Sequence, residues 1–284
     1  MYDNTGLIRH VVDLLRQGRS ALVTDIDGTI SPIVARPEEA VVLPEARNAL
    51  AGLRHSLAVV AVVTGRSVAD ARAMVGVDGL VYIGNHGLEV YRNGAAEVVT
   101  EAQPWVARMA QLLAQVNFNL DPALKSGVIV EDKGVSASIH YRLAPDPDAA
   151  RTHLLDLLSK GTQTTGIRVE EGRRVLNLLP PLNINKGTAV TWLVAEHKLD
   201  GVVYFGDDVT DTHAFRALEV LRQTDHVRTL SIGVVGPETA PTVRQHADAA
   251  VPSVTAVAEV LSGVLAGLKS NDRMDSRAPS VGSN

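Results

Sequence analysis

Apolar positions along the chain fall into two alternating patterns. Short, nearly unbroken runs rich in Val, Ala and Leu recur at 21–25, 58–65, 80–85, 202–208 and 230–235. Between them, apolar residues recur at three- and four-residue intervals, as with Leu7, Ile8, Val11, Leu14 and Leu15 within 7–17. The first pattern is that of strands buried on both faces, the second that of amphipathic helices. Their alternation predicts βαβ units around a parallel sheet. Helices are expected at 44–54, with Pro44 in the first turn, and at 67–75 behind a Ser67 cap. Others are expected at 185–198, 210–221 and 254–268.

The pattern changes in the middle of the chain. Alternating residues about Asn93-Gly94 predict a hairpin over 88–99. Two strands about a Lys133-Gly134 turn are expected in 127–142, and another hairpin turning near Gly172 in 167–179. Helices are expected at 104–117 and 146–160. The expected fold is α/β: a Rossmann-like parallel-sheet core split between 1–103 and 184–268, with an inserted α+β cap at 104–183. A Ser-, Asp- and Arg-rich tail at 269–284 is expected to be disordered.

Composition narrows the function classes. The 284 residues are 45% hydrophobic and 21% charged, which is ordinary for a globular protein. The formal net charge is −5, with no basic excess to bind nucleic acid. There is no cysteine, so thiolate metal sites and Cys nucleophiles are excluded. That fits a reducing compartment, and a cytoplasmic location is expected. No apolar run is long enough to span a membrane and no secretory signal is evident, so no membrane association is expected. A monomer is expected.

Four short motifs sit at the ends of expected strands or the starts of the helices that follow. Asp25-Ile26-Asp27-Gly28-Thr29 places two carboxylates on one side of a strand end, with Gly28 allowing a sharp turn. Close carboxylates repel unless a cation or a shared proton neutralises them, and hard oxygens suit Mg²⁺. The alternative is an Asx-turn that happens to use two Asp. Thr64-Gly65-Arg66 reads either as an anion site or as a helix cap formed by Thr64 or Ser67. Lys186, at a helix start that prefers anions, either completes an anion cradle or is a solvated surface lysine. Asp207, Asp208 and Asp211 outnumber what helix capping needs. Together the four point to Mg²⁺-dependent phosphoryl transfer through an aspartyl phosphate.

These residues resemble the haloacid-dehalogenase-like phosphatases. The segments DGTISPI (27–33), GNHGLE (84–89), VEDKGVSASIHYR (130–142), NKG (185–187) and GDDVTDTHAF (206–215) are similar, in that order, to the trehalose-6-phosphate phosphatase family. The resemblance implies a haloacid-dehalogenase-type core with a cap that selects the sugar. It implies Asp25 as nucleophile and Asp27 as the acid and base. Mg²⁺ would be held by Asp25, the backbone carbonyl of Asp27, and Asp207, with Asp208 and Asp211 behind them. Thr64, Gly65, Arg66 and Lys186 would bind phosphate. Glu131, Lys133 and Asn177 would bind the sugar, with Asn85 and His86 beside the cleft. The small-molecule partner would be trehalose 6-phosphate. Asn177 stands where the family commonly has a Glu, so another sugar or glycoside phosphate is a second reading. An inactive sugar-phosphate sensor is a third, and the presence of both Asp25 and Asp27 argues against it.

Overall fold

The computed structural model describes residues 4–92, 94–172, 174–237 and 239–275. In chain order the first elements are α1 (Asn4–Leu15), β1 (Ser20–Thr24), α2 (Pro44–Leu53), β2 (Val59–Val63), α3 (Val68–Val75), β3 (Val81–Gly84), β4 (Glu89–Arg92) and β5 (Ala95–Val98). A second group follows: α4 (Trp105–Asn119), β6 (Ile129–Asp132), β7 (Ala137–His140), α5 (Pro147–Thr165), β8 (Arg168–Gly172) and β9 (Val175–Leu179). The chain then returns through α6 (Lys186–His197), β10 (Gly201–Gly206), α7 (Asp211–Thr224), β11 (Arg228–Val234), α8 (Pro241–His246), β12 (Ala249–Val251) and α9 (Val254–Asp275).

The unbroken apolar runs are explained by a sheet covered on both faces. Its order is β12-β11-β10-β1-β2-β3-β4-β5, parallel from β12 to β3 and antiparallel at the β4–β5 edge. Side chains alternate along each strand. Leu22, Val60, Val62 and Phe205 join one core with residues of α1, α2, α3 and α9. Ala21, Val23, Ala61, Val63 and Tyr204 join another with residues of α6 and α7. From β1 the chain order runs outward both ways, through β2 and through β10. The carboxyl ends beside β1 are therefore the switch point where open parallel sheets bind ligands.

The second sheet, β6-β7-β9-β8, is antiparallel throughout. One of its faces packs on α4 and α5 through Leu112, Val116, Ile139, Leu154, Leu158 and Leu176. The other carries a polar row in register across all four strands: Glu131 opposite Ser138, Ser138 opposite Asn177, and Asn177 opposite Glu170. One buried and one polar face is the ordinary state of an antiparallel sheet that meets a cleft.

Some elements differ from expectation. The six-residue α8 and three-residue β12 have no counterpart in the pattern reading, because they are too short to show a period. Helix α9 runs to Asp275, past the expected end at 268. No Gly or Pro falls between Lys269 and Asp275, so nothing local stops it. Residues 276–284 of the expected tail lie outside the described residues, as does Asn93 of the expected hairpin turn. Among the described residues, no helix is long and apolar enough to cross a membrane.

Candidate active site

The motif residues meet at the carboxyl edge of the first sheet. Asp25 directly follows β1, and its N–H continues the ladder to Phe205 of β10 at 2.9 Å. Asp207 directly follows β10. Gly28 turns the chain back with φ +79°, and a Cβ there would overlap the Asp207 carboxylate. Only glycine lets this turn lie against the second acidic segment. Thr29 Oγ1 donates to Asp207 Oδ1 at 3.3 Å.

Asp25, Asp207 and Asp211 are buried and bring one carboxylate oxygen each within 4.8 Å of one another. Lys186 opens α6 and is buried with them. Its Nζ donates to Asp25 Oδ2 and to Asp211 Oδ1, both at 2.7 Å. The surface-lysine alternative is thereby removed. With all three carboxylates ionised, one ammonium leaves two negative charges in excess.

Burial pushes the Asp25 carboxyl up to about 7, with Asp211 and Asp27 adding to the effect and Lys186 opposing it. For Lys186, burial works against the charged form, but Asp211 and Asp25 outweigh it and hold the ammonium above the lysine range. The lysine charge is shared between two acids and does not neutralise both.

Asp211 is saturated. Its Oδ1 accepts from Lys186 and from the Tyr204 hydroxyl at 2.7 Å. Its Oδ2 accepts the N–H groups of Asp207 at 3.1 Å and Asp208 at 3.0 Å. Four acceptor positions are all that a carboxylate has. Asp211 therefore folds the 207–211 loop and anchors Lys186, and the α7 start carries no side-chain cap. Asp25 is the opposite case: its Oδ1 is buried with no hydrogen-bond partner.

Asp27 lies apart from the three-acid cluster. Both its oxygens are held in the fork of Arg66, at 2.6 and 2.7 Å. Ser67 caps α3 by accepting from the Asp70 N–H, so the capping alternative for Thr64 is filled by its neighbour. Thr64 is buried, lines the cleft, and accepts the Arg66 N–H at 3.3 Å. His86 also lines the cleft, and a Cβ on Gly65 would collide with its ring. Burial, with Lys186 and Lys133 nearby, keeps the His86 imidazole well below the usual range and neutral.

The cap face closes the other side of a cleft of about 170 Å³ that Asp25, Asp27, Thr64, Arg66, Lys186 and Asp207 also line. Lys133 Nζ donates to Ser138 Oγ at 2.8 Å and to the Gly65 carbonyl at 2.9 Å, and pairs with Glu131 Oε2 at 3.5 Å. Ser138 donates onward to Asn177 Oδ1 at 2.9 Å. Glu131 also meets His140 Nε2 at 3.1 Å. Burial would raise the Glu131 carboxyl, but the His140 hydrogen bond and the Lys133 charge bring it down to about 2.

Asn85 is a correction. The resemblance puts it among the substrate-binding residues beside the cleft, yet it is fully buried and its amide is spent on protein groups, Ser136, Glu89 and the Lys133 carbonyl. The local reason is a tight turn after β3 in which Asn85 and His86 both adopt positive φ, sending the two side chains to different places. Ser138 and His140, by contrast, line the cleft without having been expected there. The signal was present: Ser136, Ser138, His140 and Arg142 alternate with buried Val135, Ala137, Ile139 and Tyr141. Tyr204 gave no signal, since its hydroxyl partner lies across a turn in an otherwise apolar strand.

The parallel core and the antiparallel cap over its carboxyl edge define a fold of the haloacid-dehalogenase type. The solved C-terminal domain of trehalose-6-phosphate phosphatase from Candida albicans superposes with a TM-score of 0.75 at 22% identity, over 94% of this chain and 97% of that one. A trehalose-6-phosphate phosphatase related protein superposes at 0.73 and 21% identity, over 89% and 99%. The trehalose-phosphatase family model matches residues 23–248. The chain belongs to the trehalose-phosphatase family. It is 31% identical over 247 residues to trehalose-phosphate phosphatase of Mycobacterium tuberculosis, covering 84% of this chain and 57% of that protein. It is 35% identical over 229 residues to an uncharacterized glycosyl hydrolase of the same species, covering 75% of this chain and 17% of that protein. The chain thus spans less than two thirds of the length of these relatives.

Proposed function

We propose that this chain is a Mg²⁺-dependent phosphatase that hydrolyses trehalose 6-phosphate to trehalose and phosphate, carrying the phosphoryl group transiently on Asp25. The observation that carries the reading is Asp25 Oδ1, a buried acid oxygen without a partner beside Asp207, while Lys186 holds the other oxygen. A buried polar atom left open in this way is costly unless a ligand completes it. Membership of the trehalose-phosphatase family supports the choice of ester.

The donor set fits a hard divalent cation: carboxylate oxygens with two negative charges in excess. Asp25 and Asp207 would hold it, with the Asp27 backbone carbonyl. Asp208 and the saturated Asp211 would stand behind them. When bound, the ion would offset the repulsion between an anionic nucleophile and an anionic ester.

Asp25 attacks phosphorus, the bond from phosphorus to the sugar oxygen breaks, and that oxygen takes a proton from Asp27. Water then attacks phosphorus of the acyl phosphate while Asp27 takes its proton, and phosphate leaves with Asp25 restored. The Arg66 fork occupies one position on each Asp27 oxygen and leaves another for the proton. Thr64, the Gly65–Arg66 loop and Lys186 hold the phosphate oxygens. Glu131, Lys133 and Asn177 face the sugar, with His86 also lining the cleft. Lys133 Nζ already donates two hydrogen bonds and pairs with Glu131 at 3.5 Å, so a sugar hydroxyl must compete with these protein partners.

One observation favours a second reading, the same chemistry on another sugar or glycoside phosphate. The centre of the cap's polar row is an amide, Asn177, whose oxygen is taken by Ser138. Phosphate release from a panel of sugar phosphates, with and without Mg²⁺, decides between them. Release from trehalose 6-phosphate that disappears in chelator supports the first reading. Release only from other esters replaces it with the second.

A further inference from the structure

The Asn85 side chain joins the two halves of the molecule. It is wholly buried. Its Oδ1 accepts from Ser136 Oγ at 2.6 Å, and its Nδ2 donates to the Lys133 carbonyl at 3.4 Å, both in the turn between β6 and β7. The same Nδ2 donates to Glu89 Oε2 at 2.9 Å, and that oxygen also accepts the N–H of Val68, the first residue of α3.

The loop beside it is held just as fully. The Asn85 N–H donates to Arg66 O at 2.7 Å and the His86 N–H to Thr64 O at 2.9 Å. Lys133 Nζ, from the cap, donates to the carbonyl between them, Gly65 O, at 2.9 Å. Three successive carbonyls are thus fixed, two by the turn that carries Asn85 and one by the turn that Asn85 grips. Asn85 and His86 are both non-glycine residues at positive φ, 50° and 59°, a conformation that persists only where its surroundings enforce it.

We propose that Asn85 is a positioning residue that fastens the cap turn 133–136 to the loop Thr64–Arg66, so that seating of the cap and ordering of that loop occur as one event. The proposal rests on the phosphate-holding role given to the loop above and goes beyond it. Asn85 touches no substrate; it acts through the loop. Lifting the cap withdraws Ser136 Oγ, the Lys133 carbonyl and Lys133 Nζ together, which strips partners from both Asn85 and Gly65. Leaving such buried groups unpaired costs more than a bond between them gains, so the contacts form and break as a set.

The test uses Ser136→Ala, a small change on the cap side remote from the phosphate, together with Asn85→Ala and the double variant. Amide hydrogen exchange is followed in segments 64–68 and 133–136, alongside melting temperature. Steady-state kinetics are measured on trehalose 6-phosphate and on p-nitrophenyl phosphate, whose leaving group asks nothing of the cap's sugar face. Ser136→Ala is expected to melt within about 3 °C of the parent, to speed exchange in both segments, and to raise KM for both esters about fivefold. The double variant is expected to be no worse than Asn85→Ala, because the two residues share one contact. Faster exchange confined to 133–136, with KM for p-nitrophenyl phosphate unchanged, overturns the proposal. If neither ester is hydrolysed by the parent, the phosphatase reading fails, and exchange in 64–68 alone still decides this one.

Discussion

Lys186 and Asp25 are 161 positions apart in the chain and 2.7 Å apart in space, in an ion pair that is almost wholly buried. The pair is incomplete in its charge, since the same ammonium also holds Asp211. Much of the molecule's measurable behaviour follows from that shortage of positive charge.

Removing the ammonium should expose the shortage directly. Lys186→Met leaves three buried carboxylates with no cation between them. Stability should fall by about 3–5 kcal/mol, the usual cost of breaking a buried pair from one side. Thermal melts in chelator and in millimolar Mg²⁺ check this. The variant should recover more of its melting temperature on adding Mg²⁺ than the parent gains.

Asp25→Asn should abolish phosphate release, by about 10⁴-fold or more if the carboxylate is the attacking group. The same substitution tests the electrostatics. In the folded, metal-free protein the Asp25 carboxyl is pushed up to about 7, against 3.8 for the free side chain. The fold therefore keeps a proton that the unfolded chain releases, and stability falls as pH rises from about 4 to 7. Melting temperatures in chelator across that window should show the parent losing ground to Asp25→Asn. Equal slopes in the two proteins would refute the assignment.

Glu131 shifts the other way, to about 2 from 4.5. Its contribution is present above about 4.5 and is lost as pH falls toward 2. It is partly exposed, so the contribution is on the order of 1–3 kcal/mol. Glu131→Gln should flatten the loss of stability between pH 5 and 3, read by denaturant midpoint at each pH.

Gly28→Ala should damage fold and site together. The new Cβ meets the Asp207 carboxylate at a backbone angle of φ +79°. A loss of about 2 kcal/mol or more is expected, with weaker Mg²⁺ affinity by calorimetry. Parent-like affinity would mean that Asp207 is not a ligand.

The parallel core was legible because its strands are buried on both faces, which writes the same apolar run five times over. The cap was legible as antiparallel from its turns, Lys133-Gly134 and Gly172. Segment 241–251 was not, because a six-residue helix and a three-residue strand leave too few positions for a period. Ser138 and His140 stood in plain alternation with buried neighbours, yet which face of β7 meets the cleft depends on how the cap sits over the core. Asn85 was misplaced for a related reason. Its motif marked the right turn, but two consecutive positive φ angles decide which side chain faces the cavity and which faces the cap.

The sequence by itself determined the longer elements, their order, the split core and the acids and lysine at its edge, because periodicity, turn chemistry and strand ends are local properties. Only the tertiary structure decided the division of labour among those acids. Asp211 became an anchor and Asp25 kept an open oxygen because of what Tyr204, Lys186 and two backbone N–H groups do nearby. Hydrogen-bond capacity is filled by neighbours in space, and a chain read in one dimension does not say who they are.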